Sequence, residues 1–463
     1  MTKTGTLDQV IRRSSEVATE ATPSENAAPM EFVLLESHDG FPEGKAAAAT
    51  LRLIGRGLVE AKAHVTVLLP KPGGPLAGIL NPPYIGLYKG VQFEFTCGTA
   101  TRSPRFLTRR RDSLRGFVIL LLRIIQKRMA RGRKGLCVYL YGEAPSLCLP
   151  VLLLSKLLRF PVIVELCEWK PAFKSANPLS NWYHMLRVKL ADGVLAISED
   201  LERKAVAILP PPRKRNVLLH SILVDANEAA VEKLQLEIIK GPYVLWCGDF
   251  GGYFDSVTWL IRCCAIAFKR VEGLKLVLVG SLTDSLRLRL LGEIRAAGLP
   301  EDRVIPTGYV SRQELWTLYA GAVALLAPLD SSERSRARFP WKIAEYLAAG
   351  RPVITNGVGE IPRYFTDGEN ALVARPDDEE DFASKIELVA KNRPLADRIG
   401  AAGRELALRQ FHYAAFGETL VRFVNGLSTP GYTNSPGKDL LETPLRATPT
   451  EFPRARKMRA SRS

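Results

Sequence analysis

The sequence predicts an α/β protein built from two Rossmann-like, doubly wound domains in tandem. Three observations carry this reading. Short apolar runs of strand length alternate with amphipathic helical segments. The alternation is interrupted by the break PPPRKRN at 210–216 and then restarts. The length, 463 residues, exceeds what one ordinary core accommodates.

The elements follow in order. EFVLLE (31–36) reads as the first strand; the loop SHDGFPEG and the helix KAAAATLRLIGRGLVE (45–60) follow it, then the strand VTVLL (65–69). LCVYLY (136–141), PVIVELC (161–167) and GVLAIS (193–198) are further strands. After the break and the segment LLHSILVDANEA, the pattern restarts with YVLWCG (243–248), LKLVLVG (274–280), RVIPTG (303–308), VALLAP (323–328) and PVIT (352–355). Continuous apolar strands between helices indicate parallel sheets covered on both faces, which bind ligands beyond the carboxyl ends of their strands. The expected division is a disordered N-terminal tail at 1–29, a first Rossmann-like domain at 30–225 and a second at 226–411. A helix at 412–427 would cross back to the first domain, and a disordered basic tail would occupy 428–463.

Composition narrows the function classes. No run of eighteen apolar residues lacks a charge, so a spanning helix is not expected. Residues 1–29 contain no apolar signal core, and Asp8, Glu16, Glu20 and Glu25 argue against a transit peptide, so a cytoplasmic location is expected. The seven cysteines form no CxxC pair, which indicates neither a zinc site nor a disulfide framework. No GxGxxG follows the first strand and no GxxxxGK[ST] occurs, so neither NAD, FAD nor a P-loop is supported. The formal charge of +16 favours anionic partners without choosing between nucleotides, nucleic acid and lipid headgroups.

One stretch is more specific. In RFPWKIAEYLAAGRPVIT (338–355), Pro340 suits a first helical position, and Gly350 with Pro352 marks the stop. At about 100° per residue, Ile343, Ala344, Leu347 and Ala348 share one face and Lys342, Glu345 and Tyr346 the other. A surface helix with a Lys342–Glu345 pair would account for this pattern by itself. A helix start with Lys342 and Arg338 beside it could also seat a diphosphate, although the stretch by itself favours the surface helix.

Several segments resemble, in this order, the retaining GT-B glycosyltransferases of group 1 (family 4). They are GFPEGKAAAATLRLIGRGLVEAKAHVTVLLP (40–70), DGVLAISEDL (192–201), TGYVSRQELWTLYAGAVALLAPL (307–329) and FPWKIAEYLAAGRPVITNGVGEIPRYFTDGENALVARPDD (339–378). The resemblance implies a GT-B fold whose two Rossmann-like domains face a central cleft. It also implies transfer of a sugar from a nucleotide-sugar donor to a glycan or lipid-linked acceptor in cell-surface polysaccharide or glycolipid synthesis. Retention of configuration is implied, with no metal and no cofactor beyond the donor.

Residue by residue, the resemblance makes Glu345 the carboxylate that faces the donor ribose and aims the amides of Trp341 and Lys342 at the leaving diphosphate, beside Arg338. Tyr309 and Val310 would flank the base. Gly251, Gly252 and, from the first domain, Gly44 with Lys45 would close on phosphate. Two departures stand out: Ala337 replaces a second glutamate eight residues before Glu345, and Asp249 and Asp255 stand where relatives often carry arginine and lysine. Glu333 is a substitute for the missing glutamate. Glu165, Glu168 and His38 are candidates for catalytic roles in the first domain, where a structural Glu165–Glu168 pair is the equal alternative. The acidic run 377–381 reads as a helix start rather than a metal site.

The segment 102–134 holds twelve basic residues against one acid, and Leu114, Phe117, Val118, Leu121, Leu122, Ile125 and Met129 follow helical spacing. Two readings stand: a helix packed on the first sheet with a basic outer face, or a basic amphipathic helix on an anionic membrane surface. Three function classes remain open: glycosyl transfer, a sugar-nucleotide epimerase or phosphorylase on the same architecture, and a non-catalytic basic module for membrane or nucleic acid. The first explains the ordered motifs; specific nucleic-acid binding is not expected.

Overall fold

The computed structural model describes residues 29–36, 40–44, 46–73, 83–132, 135–173, 177–225, 227–228 and 239–427. The expected tails, Pro29 excepted, lie outside the described residues, as do His38 and Lys45.

Two parallel sheets form the molecule. The first contains β1 (Glu31–Leu35), β2 (His64–Leu69), β3 (Ile85–Tyr88), β4 (Val91–Phe95), β5 (Leu136–Leu140), β6 (Val162–Leu166), β7 (Gly193–Ala196) and β8 (Val217–Leu219). Its order is β3-β4-β2-β1-β5-β6-β7-β8, with only β3 antiparallel to its neighbour. The second contains β9 (Tyr243–Cys247), β10 (Lys275–Val279), β11 (Val304–Gly308), β12 (Ala324–Ala327), β13 (Val353–Asn356) and β14 (Leu372–Ala374), in the order β11-β10-β9-β12-β13-β14. All ten anticipated strands are present. The sequence reading missed β3, β4, β8 and β14. The last two have three residues each and lie at sheet edges, and β3 and β4 form an antiparallel edge ribbon with no helix between them.

The strands are buried because helices cover both faces. On one face of the first sheet lie α1 (Ala46–Glu60) and, from the far end of the chain, α14 (Tyr413–Leu427). On the other lie α2 (Phe106–Arg131), α3 (Pro145–Leu158), α4 (Pro178–Leu190) and α5 (Glu199–Ile208). The second sheet carries α6 (Phe250–Arg270), α7 (Asp284–Ala296), α8 (Arg312–Gly321), α9 (Glu333–Ala337), α10 (Lys342–Ala348), α11 (Ile361–Tyr364), α12 (Glu379–Lys391) and α13 (Arg393–Gln410). The acidic run 377–381 does open a helix, with Asp378 capping α12.

The chain passes between the sheets twice, and the two passages lie side by side. Val224 and His412 form a bridge, with Val224 N–H donating to the Phe411 carbonyl at 2.7 Å. The returning α14 then packs on α1 so closely that a Cβ on Gly417 would lie 1.9 Å from the Gly57 carbonyl oxygen. Arg56 binds this junction together, donating to Asp225 and to the Tyr413 hydroxyl at 2.6 Å.

Helix α2 corrects one expectation. It packs on the first sheet through Gly116, Leu120 and Ile124, and its outer face is not simply basic: Leu114, Val118, Leu122 and Met129 are exposed along with Arg110, Arg111 and Arg115 near its start.

Candidate active site

The carboxyl ends of both sheets face one another, and the second sheet reverses its strand order between β9 and β12, where such sheets bind ligands. Helix α10 follows β12 at this reversal. It begins at Lys342 with Trp341 as its N-cap, two residues later than Pro340 had suggested. The apolar face is as expected, with Ile343, Ala344, Leu347 and Ala348 buried. Tyr346 is buried too, contrary to its assignment to the polar face. Its hydroxyl accepts from Cys247 N–H at 2.8 Å, fixing α10 to the end of β9.

Glu345 is the centre of a compact polar group. Its Oε2 accepts from Lys342 Nζ at 2.8 Å and from the Tyr319 hydroxyl at 3.3 Å, and its Oε1 accepts from Arg312 Nη1 at 3.2 Å. Burial alone would raise the Glu345 pKa, but the Lys342 and Arg312 charges and their hydrogen bonds overcome it and hold the carboxyl down at about 2. A carboxylate offers roughly four acceptor positions, so three contacts leave one for a ligand hydroxyl. Lys342 uses one of three donors on Glu345.

Arg312 was missed from the sequence. It also donates to Glu228 through Nε at 2.7 Å and lies over the Trp316 ring. The missed signal is its position: Arg312 opens α8 behind the Ser311–Glu314 capping box, where the helix dipole disfavours a cation. A cation there needs carboxylate partners, and it has two. Tyr309 and Val310 sit immediately before that cap; Tyr309 is exposed, while Val310 packs against the core.

A second group joins the two domains, with Tyr253, Arg334 and Arg338 from the second meeting Glu168 and Phe173 from the first. Tyr253, at a kink in α6, has Arg334 and Arg338 over its ring, each guanidinium carbon 4.5 Å from the centroid. The Tyr253 hydroxyl donates to Glu168 at 3.2 Å, and Arg334 lies 3.9 Å from the same carboxylate and 4.8 Å from the Phe173 ring. The Nε atoms of Arg334 and Arg338 and the Trp341 indole nitrogen are buried with no partner among the described residues. Buried donors are costly to leave unpaired, and acceptor oxygens of a ligand would satisfy them.

The structure separates Glu165 from Glu168. Glu165 is sealed within the first domain, accepting from the Tyr139 hydroxyl, from Cys167 Sγ at 3.3 Å and meeting His220 Nε2 at 2.8 Å. It holds strands together, whereas Glu168 turns toward the second domain, so the two do not form a pair. The glycine assignment also changes. Asp249 caps α6 and accepts from Gly251 N–H at 3.3 Å and Gly252 N–H at 3.0 Å, so both amides are already engaged. Gly44 has no room for a side chain, since a Cβ would lie 2.8 Å from both the Gly40 carbonyl oxygen and the Ala48 methyl.

Position 337 has its own explanation. Ala337 is fully buried and its carbonyl accepts from Ser198 Oγ at 2.7 Å, joining the end of β7 to α9. A glutamate there would bury its carboxylate at the contact between the domains, which is costly without a partner. Glu333 pairs with Lys204 of α5 at 2.8 Å, a bond between the domains rather than a second donor-site carboxylate. Asp255 lies 3.8 Å from Arg289 on the exposed side of α6.

Two sheets facing a cleft, with the polar cluster on the second, define the GT-B glycosyltransferase fold. Solved structures agree. The chain superposes on sucrose-phosphate synthase from Thermosynechococcus elongatus with a TM-score of 0.63 at 16% identity, over 85% of this chain and 98% of that one. HepE from Anabaena, crystallised with UDP and glucose, gives 0.61 at 15% identity, over 85% and 98%. A glycosyltransferase from Rickettsia africae gives 0.60 at 13%, over 86% and 98%. At such identities these structures establish the shared fold. No curated protein matches the sequence closely enough to count as a relative. Residues 241–392 match the family model described as "Glycosyl transferases group 1", so the second domain belongs to the group 1 glycosyltransferases and the chain is a glycosyltransferase.

Proposed function

We propose that the protein moves a sugar from a nucleotide sugar, held by the second domain, to a glycan or lipid-linked acceptor on the first, at the cytoplasmic face of a membrane. Configuration is retained and no metal takes part. The observation that carries the reading is the Glu345 cluster: an ionised carboxylate with one free acceptor position, flanked by Lys342, at the strand reversal of a group 1 domain. The HepE structures with UDP and with UDP-glucose support a nucleotide-sugar donor.

In this reading Glu345 accepts a ribose hydroxyl, in the place the resemblance implies, and Tyr309 and Val310 flank the base. Charge builds on the diphosphate as the bond to the anomeric carbon breaks, so cations already in place there lower the barrier. Lys342 and Arg338 supply that charge. Arg334 adds to it, compensating for Asp249 and Asp255, where relatives often carry cations. Glu168 orients Arg334 and Tyr253 and is a positioning residue.

The test is to incubate the purified protein with a panel of nucleotide sugars and measure nucleotide release with and without membrane extract. Release that needs the extract supports transfer. Efficient turnover without any acceptor, or use of free phosphate, would indicate an epimerase or phosphorylase instead.

A further inference from the structure

The outer face of α2 is the feature that glycosyl transfer does not absorb. Leu107, Leu114, Val118 and Leu122 recur at helical spacing on the side directly opposite the buried Gly116, Leu120 and Ile124. A surface helix ordinarily places polar residues there. This one exposes an apolar stripe that runs roughly 23 Å along the helix from Leu107 to Leu122.

The stripe does not stand alone. Helix α3 lies beside α2 and exposes Leu153 and Leu157, and α4 lies beside α3 and exposes Leu179 and Trp182. All three helices pack on the same face of the first sheet, so these side chains share one outer layer. Large exposed apolar areas on one face mark an interaction surface rather than ordinary scatter.

Charge selects the partner. Arg105, Arg110, Arg111 and Arg115 are exposed at the start of α2, and among the described residues only Arg111 has a carboxylate within 4 Å, that of Asp112. Farther along, the cations are occupied on the inner side: Arg123 pairs with Glu94 and Arg131 with Glu31. The free cations therefore collect at the helix start. In parallel α/β domains that end lies on the side of the strand carboxyl termini, here the cleft side. A protein partner would bring carboxylates to a few of these arginines. A bilayer offers an apolar layer beneath a plane of anions, which matches both the stripe and its basic flank.

We infer that the face formed by α2, α3 and α4 docks on an anionic lipid bilayer, with the basic start of α2 directing the cleft rim toward the headgroups. This deepens the membrane reading above by naming its surface. An acceptor anchored in the bilayer would then enter the cleft from the first-domain side.

The experiment uses the full chain and extruded vesicles of phosphatidylcholine with or without phosphatidylglycerol, read by co-sedimentation at low and high salt. Wild type binds the anionic vesicles and is released by salt. The variant R105Q/R110Q/R115Q loses affinity on the order of 100-fold, since each basic residue near the surface contributes several-fold. The variant L114E/V118E/L122E also loses binding. Both keep the wild-type circular dichroism spectrum and wild-type affinity for a soluble nucleotide sugar, because none of these residues touches the Glu345 cluster. Equal binding of wild type and both folded variants would overturn the inference. So would a dimer that the leucine variant dissociates while vesicle binding persists, since the face would then belong to a second copy. Absence of donor turnover with intact vesicle binding would refute the enzymatic reading and leave the surface standing.

Discussion

At the scale of single residues, the Glu345 cluster governs what the site does. Its carboxyl is held at about 2, so it stays ionised across the physiological range. Its folded pKa lies below the unfolded value near 4.3, so the stabilisation is present above about pH 4 and is lost as pH falls toward about 2. Comparing Glu345→Gln with wild type by chemical denaturation should show a gap of up to about 3 kcal/mol at pH 7 that narrows below about pH 4. A gap that widens with acid would refute the assigned sign. For activity, Glu345→Ala should lower kcat/KM for donor by about 10–100-fold while the fold persists. Arg334→Lys keeps the charge but removes the flat stack on Tyr253 and Phe173. It should therefore lower kcat/KM, with Glu168→Gln giving a smaller loss in the same direction. If Arg334→Lys matched wild type, its planar placement would be irrelevant.

How far the site was legible follows from where its information lies. Glu345, Lys342 and Arg338 were readable because they fall within one short ordered stretch whose helix signals are local. Arg312, Tyr319 and Tyr253 were not, because their roles depend on which helix starts the fold brings beside α10. Gly251 and Gly252 look like a phosphate loop in isolation. Asp249 next to them spends its carboxylate on the same amides, which only the backbone geometry of the α6 cap shows.

At the scale of elements, helix-to-sheet alternation carried the strands with independent crossovers, and it failed where strands are short or at an edge. Helix α2 shows the limit of periodicity most clearly. An apolar stripe was visible in the sequence, but periodicity does not say whether a stripe faces the sheet or the solvent. Here glycine decides: a Cβ on Gly116 would lie 2.0 Å from the Pro70 carbonyl oxygen, so the backbone itself forms the inner contact and the leucine stripe is turned outward. The α1–α14 contact is another backbone-close packing. Gly417→Ala has no space beside Gly57, and it should lower stability by about 1–3 kcal/mol in a denaturant titration. No loss would mean the helices readily separate.

At the scale of the whole molecule, the two sheets meet through paired contacts distributed around the cleft. Ser198 reaches the Ala337 carbonyl, Lys204 pairs with Glu333, the Glu199 amide donates to Glu360, and Glu168 receives Tyr253. These polar contacts are few and directional, as expected for an interface that opens to admit a donor. The helix-crossing junction at 224–225 and 411–413 sits at the opposite extreme, with backbone pairing and a buried Arg56–Asp225 ion pair, and so acts as the fixed end. The departures at 337, 249 and 255 belong to the same pattern. Each residue makes a contact of its own there, and the cationic charge gathers on the 334–342 segment.

The central claim is that the donor nucleotide sits on α10. The most direct measurement is a crystal structure of the full chain soaked with nucleoside diphosphates. The account predicts a ribose hydroxyl on Glu345 and diphosphate oxygens against Lys342, Arg338 and Arg334. A nucleotide bound elsewhere, with the Glu345 cluster intact and unoccupied, would contradict it.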